Sequence, residues 1–132
     1  MSKLDILTRQ VQGVVILDLN GSITIGETSD KLRKAIADHL TEGKRSILLD
    51  LASVTRVDSS GLGTLVASYA SAERNGGVLK LMRLRENVLE LMTMTKLYTL
   101  FDIFDTEADA IQSFEAGPQS ETAAAARPNS VL

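Results

Sequence analysis

Residues 55–69 read TRVDSSGLGTLVASY, and the way this stretch divides decides the fold. It continues an almost uninterrupted apolar run, SILLDLASV (46–54), which has the length of a strand covered on both faces. From Leu62 onward the pattern changes, and Leu62, Leu65, Val66, Tyr69 and Ala70 recur at the spacing of a helix with one buried face. A strand therefore becomes a helix across Asp58-Ser59-Ser60-Gly61. Asn75-Gly76-Gly77 closes that helix before another strand, VLKLM (78–82). Alternation of β, α and β predicts parallel pairing and right-handed crossovers for these strands.

On the N-terminal side, LDILTRQV (4–11) and VVILDLN (14–20) read as two strands of a hairpin, with Gln12-Gly13 as a turn that tolerates positive φ. Glu27 to His39 carries apolar positions at Leu32, Ala35, Ile36, His39 and Leu40, which predicts a helix ended by Gly43. Thr24 with Glu27 three residues on fits a capping box at its start. On the C-terminal side an amphipathic stretch runs from about Glu86 to Lys96, and Thr106 with Asp109 opens a short last helix ending near Phe114. From Ala116 the chain loses apolar periodicity, so 1–115 is expected to be the domain and 116–132 a disordered tail. The expected fold is α/β: one mixed sheet, opened by an antiparallel hairpin and packed with about four helices.

A chain of 132 residues suffices for one domain with a genuine core. Its 14 basic and 17 acidic residues give a formal charge of −3, with the basic ones scattered, which argues against nucleic acid as a direct partner. With no cysteine there is no disulfide framework, thiol nucleophile or thiolate metal site. The charged N-terminus lacks a secretory pattern and no run reaches the ~20 apolar residues that cross a bilayer. A soluble cytoplasmic protein without a membrane partner is expected. An exposed first strand at a sheet edge allows a weak homodimer.

The glycines after Ser60 need a reason, because each costs about 1 kcal/mol in a helix relative to alanine. On a structural reading, Gly61 relieves crowding at the strand-to-helix turn and Gly63 lets the helix lie close to the sheet. On a functional reading, their bareness lets another protein approach Ser59. A helix start favours an anion, and a phosphate on Ser59 would add about −1.5 to −2 charges beside Asp58. Catalysis by the chain itself is not expected. The one histidine, His39, lies on the apolar stripe of a different helix, and neither a G-x-S-x-G elbow nor a G-x-x-x-x-G-K-[ST] loop occurs. Asp18, Asp50 and Asp58 lie on separate segments, each explicable as a cap of a strand end or helix start, so no metal site is expected. Met82, Met92 and Met94 are read as core, and Lys44-Arg45 as a solvated loop.

VDSSGLG (57–63), between SILLDLASV and a helix followed by GGVLKLM, resembles the STAS domain of bacterial anti-sigma factor antagonists, over roughly residues 4 to 115. The resemblance implies that Ser59 is the phosphoacceptor of an anti-sigma factor that is itself a GHKL-type serine kinase. Unphosphorylated antagonist binds the anti-sigma factor and frees the sigma factor, and a metal-dependent serine phosphatase resets the phosphorylated form. ATP and Mg²⁺ belong to the kinase, so the chain itself needs no cofactor. Thr24, Asp58, Ser60, Gly61, Leu62 and Gly63 are the expected partner-binding residues, Ser60 serving as a helix-start hydroxyl and not as acceptor. Where the family often has Gly-x-Leu-Asp before its first helix, this chain has Gly21-Ser22-Ile23-Thr24, which brings no charge. Two other functions fit less well: a STAS subunit of a lipid-transport or stressosome-like assembly, and a phosphoaspartate receiver acting through Asp50, for which TRQVQG lacks the acidic pair that would hold Mg²⁺.

Overall fold

The computed structural model describes residues 3–120, with side chains through Glu115. In chain order the elements are β1 (Leu4–Val11), β2 (Val14–Ile23), α1 (Glu27–Thr41), β3 (Ser46–Val57) and α2 (Ser59–Arg74). They continue with β4 (Val78–Met82), α3 (Glu86–Met94), a 3₁₀ turn (Leu97–Thr99), β5 (Ile103–Phe104) and α4 (Glu107–Ser120). The five strands form one sheet in the order β1-β2-β3-β4-β5, with β1 antiparallel to β2 and the other pairs parallel. This is the expected mixed sheet. A receiver would place its second strand at the edge, in the order 2-1-3-4-5, so the observed order excludes it.

The hairpin forms where the sequence places it, because Gln12 and Gly13 both take positive φ, the requirement of a two-residue primed turn. The central position of β3 follows from its composition: Ile47, Leu48, Leu49, Leu51 and Val54 are all fully buried. Alternation sends Val15, Leu17, Ile47, Leu49, Leu79 and Leu81 to one face, where they meet Leu32 and Ile36 of α1, Leu65 of α2, and Val88 and Met92 of α3. Tyr69 and Phe101 join this layer edge to face, with ring centroids 5.3 Å apart. The other face carries Val14, Ile16, Leu48 and Met82, covered by Ala110, Ile111 and Phe114 of α4. The sheet thus has two unequal cores.

Several expectations are corrected. Helix α4 continues to Ser120, past the expected end near Phe114; its last turns lie beyond the apolar stripe, and apolar periodicity reports burial, not helicity. The remainder of the stretch read as a tail, 121–132, lies outside the described residues. Met82 and Met92 are core residues, whereas Met94 is 74 % exposed at the end of α3. Asp18 and Asp50 cap nothing: they sit mid-strand, directly opposite each other in the β2–β3 register. Their charges are met by arginines. Arg9 Nε donates to Asp18 at 2.7 Å and its other nitrogens hold Glu107 of α4, while the Arg83 guanidinium donates to both oxygens of Asp50.

Burial pushes the Asp50 carboxyl up, but the Arg83 hydrogen bonds, the Ala52 N–H and Asp18 outweigh it, leaving it below the usual range. Glu107 is also held down, chiefly by its hydrogen bonds to Arg9. Carboxyls depressed in the fold contribute stability above their unfolded values and lose it as pH falls through the folded ones. Arg83→Met is therefore expected to cost about 1–3 kcal/mol at neutral pH, since it strands a buried carboxylate whose partner is only partly exposed. The difference from the unchanged protein shrinks as pH falls through the depressed Asp50 range and the carboxyl becomes neutral in both. Urea denaturation at pH 7 and pH 3 checks this; an equal loss at both would assign the cost to packing.

Candidate functional site

The site lies where the C-terminal ends of β2 and β3 meet the start of α2, the position at which open parallel sheets place their binding residues. Ser59 is the first residue of α2 and is exposed. Asp58, in extended conformation, is the N-cap: its Oδ1 accepts from Gly61 N–H at 2.8 Å. Its Oδ2 accepts from Ile25 N–H at 3.0 Å, in the loop between β2 and α1. One carboxylate therefore fastens two segments 33 residues apart. The N–H groups of Gly61, then Ile25 and Ser60, and the nearby Arg56, hold the Asp58 carboxyl below its usual range. It stays charged beside Ser59.

The two glycines have different causes. A Cβ on Gly61 would fall inside the carbonyl oxygen of Ile23, which itself accepts Asp58 N–H at 3.3 Å. The helix start rests directly on the end of β2, so at Gly61 close approach is a backbone requirement. A Cβ on Gly63 would meet nothing within 4 Å. The reading of Gly63 as a close-packing glycine is thereby overturned: it is exposed one turn on from Ser59 and leaves the surface beside Ser59 bare.

The capping box is overturned as well. Helix α1 starts from Gly26 as N-cap, at φ 96°, with no side-chain cap. That left-handed residue turns the chain so that the first helical turn begins three residues after Thr24. The hydroxyls run the other way: Thr28 and Ser29 donate to Thr24 O at 3.0 and 2.6 Å, and Thr24 N–H donates to Thr28 Oγ1 at 2.9 Å. Thr24 is only 4 % exposed.

Of the residues singled out from the sequence, Asp58, Ser59, Ser60 and Gly63 come together at the surface. Thr24, Gly61 and Leu62 lie beneath and shape it. His39 sits on α1, half-buried, with Glu42 as its neighbour at 3.8 Å. Sequence reasoning missed Ile25, whose side chain is 76 % exposed on the loop that Asp58 holds. The signal was available once the cap is placed at Gly26. Ile25 then precedes the cap, where an apolar residue normally packs against one four residues into the helix. That position is Asp30, so Ile25 has no such partner within its own helix.

Among the described residues no group of three or more His, Asp or Glu is placed to hold a metal, and no helix is long and apolar enough to cross a membrane.

Fold and site together define a small α/β domain that presents a serine on a capped helix start. The STAS domain model matches residues 5–110, and the chain belongs to the STAS domain family. It is 29 % identical over 105 residues to the anti-sigma F factor antagonist of Paenibacillus polymyxa, covering 79 % of this chain and 89 % of that protein. The crystal structure of protein TM1081 from Thermotoga maritima superposes with a TM-score of 0.75 at 28 % identity, covering 83 % of this chain and 94 % of that one. The phosphorylated form of the Bacillus cell fate determinant SpoIIAA shares the fold, with a TM-score of 0.65 at 18 % identity over 83 % of this chain and 99 % of that one.

Proposed function

We propose that this chain is an anti-sigma factor antagonist whose binding to its anti-sigma factor is switched off by a phosphate on Ser59. The observation that carries the reading is the helix start itself: an exposed serine, on the first residue of α2, beside an aspartate whose charge is already committed to backbone N–H groups. The names of its relatives support the antagonist role, and SpoIIAA, described in a phosphorylated form, supports the modification. The donor is a GHKL-type serine kinase, the anti-sigma factor, which supplies ATP and Mg²⁺. A metal-dependent serine phosphatase restores the hydroxyl. The exchange takes place in the cytoplasm and leaves the chain's own chemistry passive.

The physical basis is local. Phosphorylation places about −1.5 to −2 charges next to the Asp58 carboxylate. Since Asp58 already accepts from the Gly61 N–H of the helix start and from Ile25 N–H, less of the new dianion is neutralised within the domain, and a partner's docking face meets it. Incubation with the anti-sigma factor kinase and Mg-ATP, followed by mass spectrometry of the Ser59 peptide, is expected to place phosphate on Ser59 and none on the Ser59→Ala protein. Phosphate carried instead by Ser60, or by both proteins equally, would remove the switch from this site.

A further inference from the structure

Among the described residues strand β1 is an unpaired edge of the sheet, and its centre is unusual for an edge: Leu7 is 71 % exposed. Edge strands are ordinarily blunted by charge, proline or a bulge. The direction of the free backbone groups follows from the hairpin. Lys3 O accepts from Ser22 N–H at 2.9 Å, in the register that pairs Leu4 with Gly21. In an antiparallel ladder these bonds alternate, so Lys3, Asp5, Leu7 and Arg9 turn their backbone groups toward β2. Leu4, Ile6, Thr8 and Gln10 turn theirs outward. Lys31 Nζ reaches Leu4 O from α1 at 2.7 Å, which agrees with that direction. The amides and carbonyls of Ile6, Thr8 and Gln10 thus face outward along the edge.

The geometry points to a second copy of this chain as the occupant, its β1 pairing antiparallel with this one about a two-fold axis at Leu7. A two-fold interface must be self-complementary, and the sequence of β1 meets that condition in one register. With Leu7 opposite Leu7 of the second copy, Ile6 and Thr8 exchange backbone hydrogen bonds. Asp5 then stands opposite Arg9 on the same side as Leu7. Leu7–Leu7 and Asp5–Arg9 become non-hydrogen-bonded pairs, in which side chains approach most closely. Moving the axis to Ile6 opposes Lys3 to Arg9 and Asp5 to Leu7. Moving it to Thr8 opposes Leu7 to Arg9. Arg9 already holds Asp18 of β2 and Glu107 of α4, and its side chain remains 36 % exposed. The two sheets join into one of ten strands, held by a single strand pair, so the association is weak and reversible. It rests on the edge strand alone and stands or falls independently of the switch at Ser59.

Sedimentation velocity on the purified protein, from micromolar to millimolar concentration, is expected to show a monomer–dimer equilibrium. Leu7→Lys and Asp5→Arg should each weaken it at least tenfold, while circular dichroism stays unchanged because both side chains are exposed. The register is tested separately, since the chain has no cysteine. Leu7→Cys should give a covalent dimer rapidly under copper-phenanthroline oxidation, the paired Cα atoms lying within disulfide reach. Asp5→Cys should not, because its two copies lie about 14 Å apart in this pairing. A protein monomeric at every concentration, dimerisation indifferent to Leu7→Lys, or Asp5→Cys cross-linking as fast as Leu7→Cys would each overturn the proposal.

Discussion

Ser59→Asp is expected to lower affinity for the anti-sigma factor at least 100-fold, while Ser59→Ala binds as tightly as the unmodified protein and can no longer be switched off. Placing like charges across an interface costs several kcal/mol, and about 3 kcal/mol already corresponds to more than 100-fold. The substitution is sharper here than at an ordinary helix start. A new carboxylate at position 59 finds the N–H groups of Gly61 and Ile25 already bonded to Asp58, so less of its charge is neutralised within the domain. Titration calorimetry with the purified anti-sigma factor measures both variants. Equal affinities for Ser59→Asp and Ser59→Ala would separate the docking surface from the proposed switch. Unchanged melting of Ser59→Asp shows that the fold is not the cause of any loss.

Gly61→Ala is expected to destabilise the domain by about 3 kcal/mol, and Gly63→Ala, two residues on in the same helix turn, to stabilise it by up to about 1 kcal/mol. Helix propensity favours alanine equally at both positions. The difference is the carbonyl of Ile23, which leaves no room for a Cβ at Gly61, whereas Gly63 faces open space. Backbone cannot step aside as a flexible side chain can, so α2 must lift from β2 and disturb the Asp58 bonds with it. In a domain of this size 3 kcal/mol lowers the melting temperature by roughly 10–15 °C. Thermal unfolding of both variants decides the matter; similar shifts of the same sign would mean that neither the collision nor the open space governs this turn. If Gly63→Ala also weakens anti-sigma factor binding while raising stability, the bare surface beside Ser59 is part of the docking face.

The strands and helices were legible because their apolar residues repeat at periods of two or 3.6, or run unbroken as in SILLDLASV. What escaped were features without periodicity. β5 has two residues, Ile103 and Phe104, and exists only because β4 lies beside it. Within the site, Ser59 could be read from DSSGLG and its flanking strand and helix. The second task of Asp58 could not, since it depends on parallel pairing of β2 with β3 bringing Ile25 to position 58. The roles of the two glycines were likewise inseparable until their neighbours were known. For the same reason Asp18 and Asp50 looked unrelated in the sequence, though the register sets them opposite each other. Thr24 and Glu27 matched a capping pattern by spacing alone, and the left-handed Gly26 took the position instead.

The double attachment of Asp58 also bears on the order in which the chain assembles. Its bond to Ile25 joins positions 33 apart in the chain, with all of α1 between them, so it closes only as β2 and β3 are brought together. A contact of this kind that closes after the transition state governs the rate of unfolding more than the rate of folding. The carboxylate beside Ser59 would then work as a latch, with Asp58→Ala expected to speed unfolding and leave the rate of folding nearly unchanged in stopped-flow measurements.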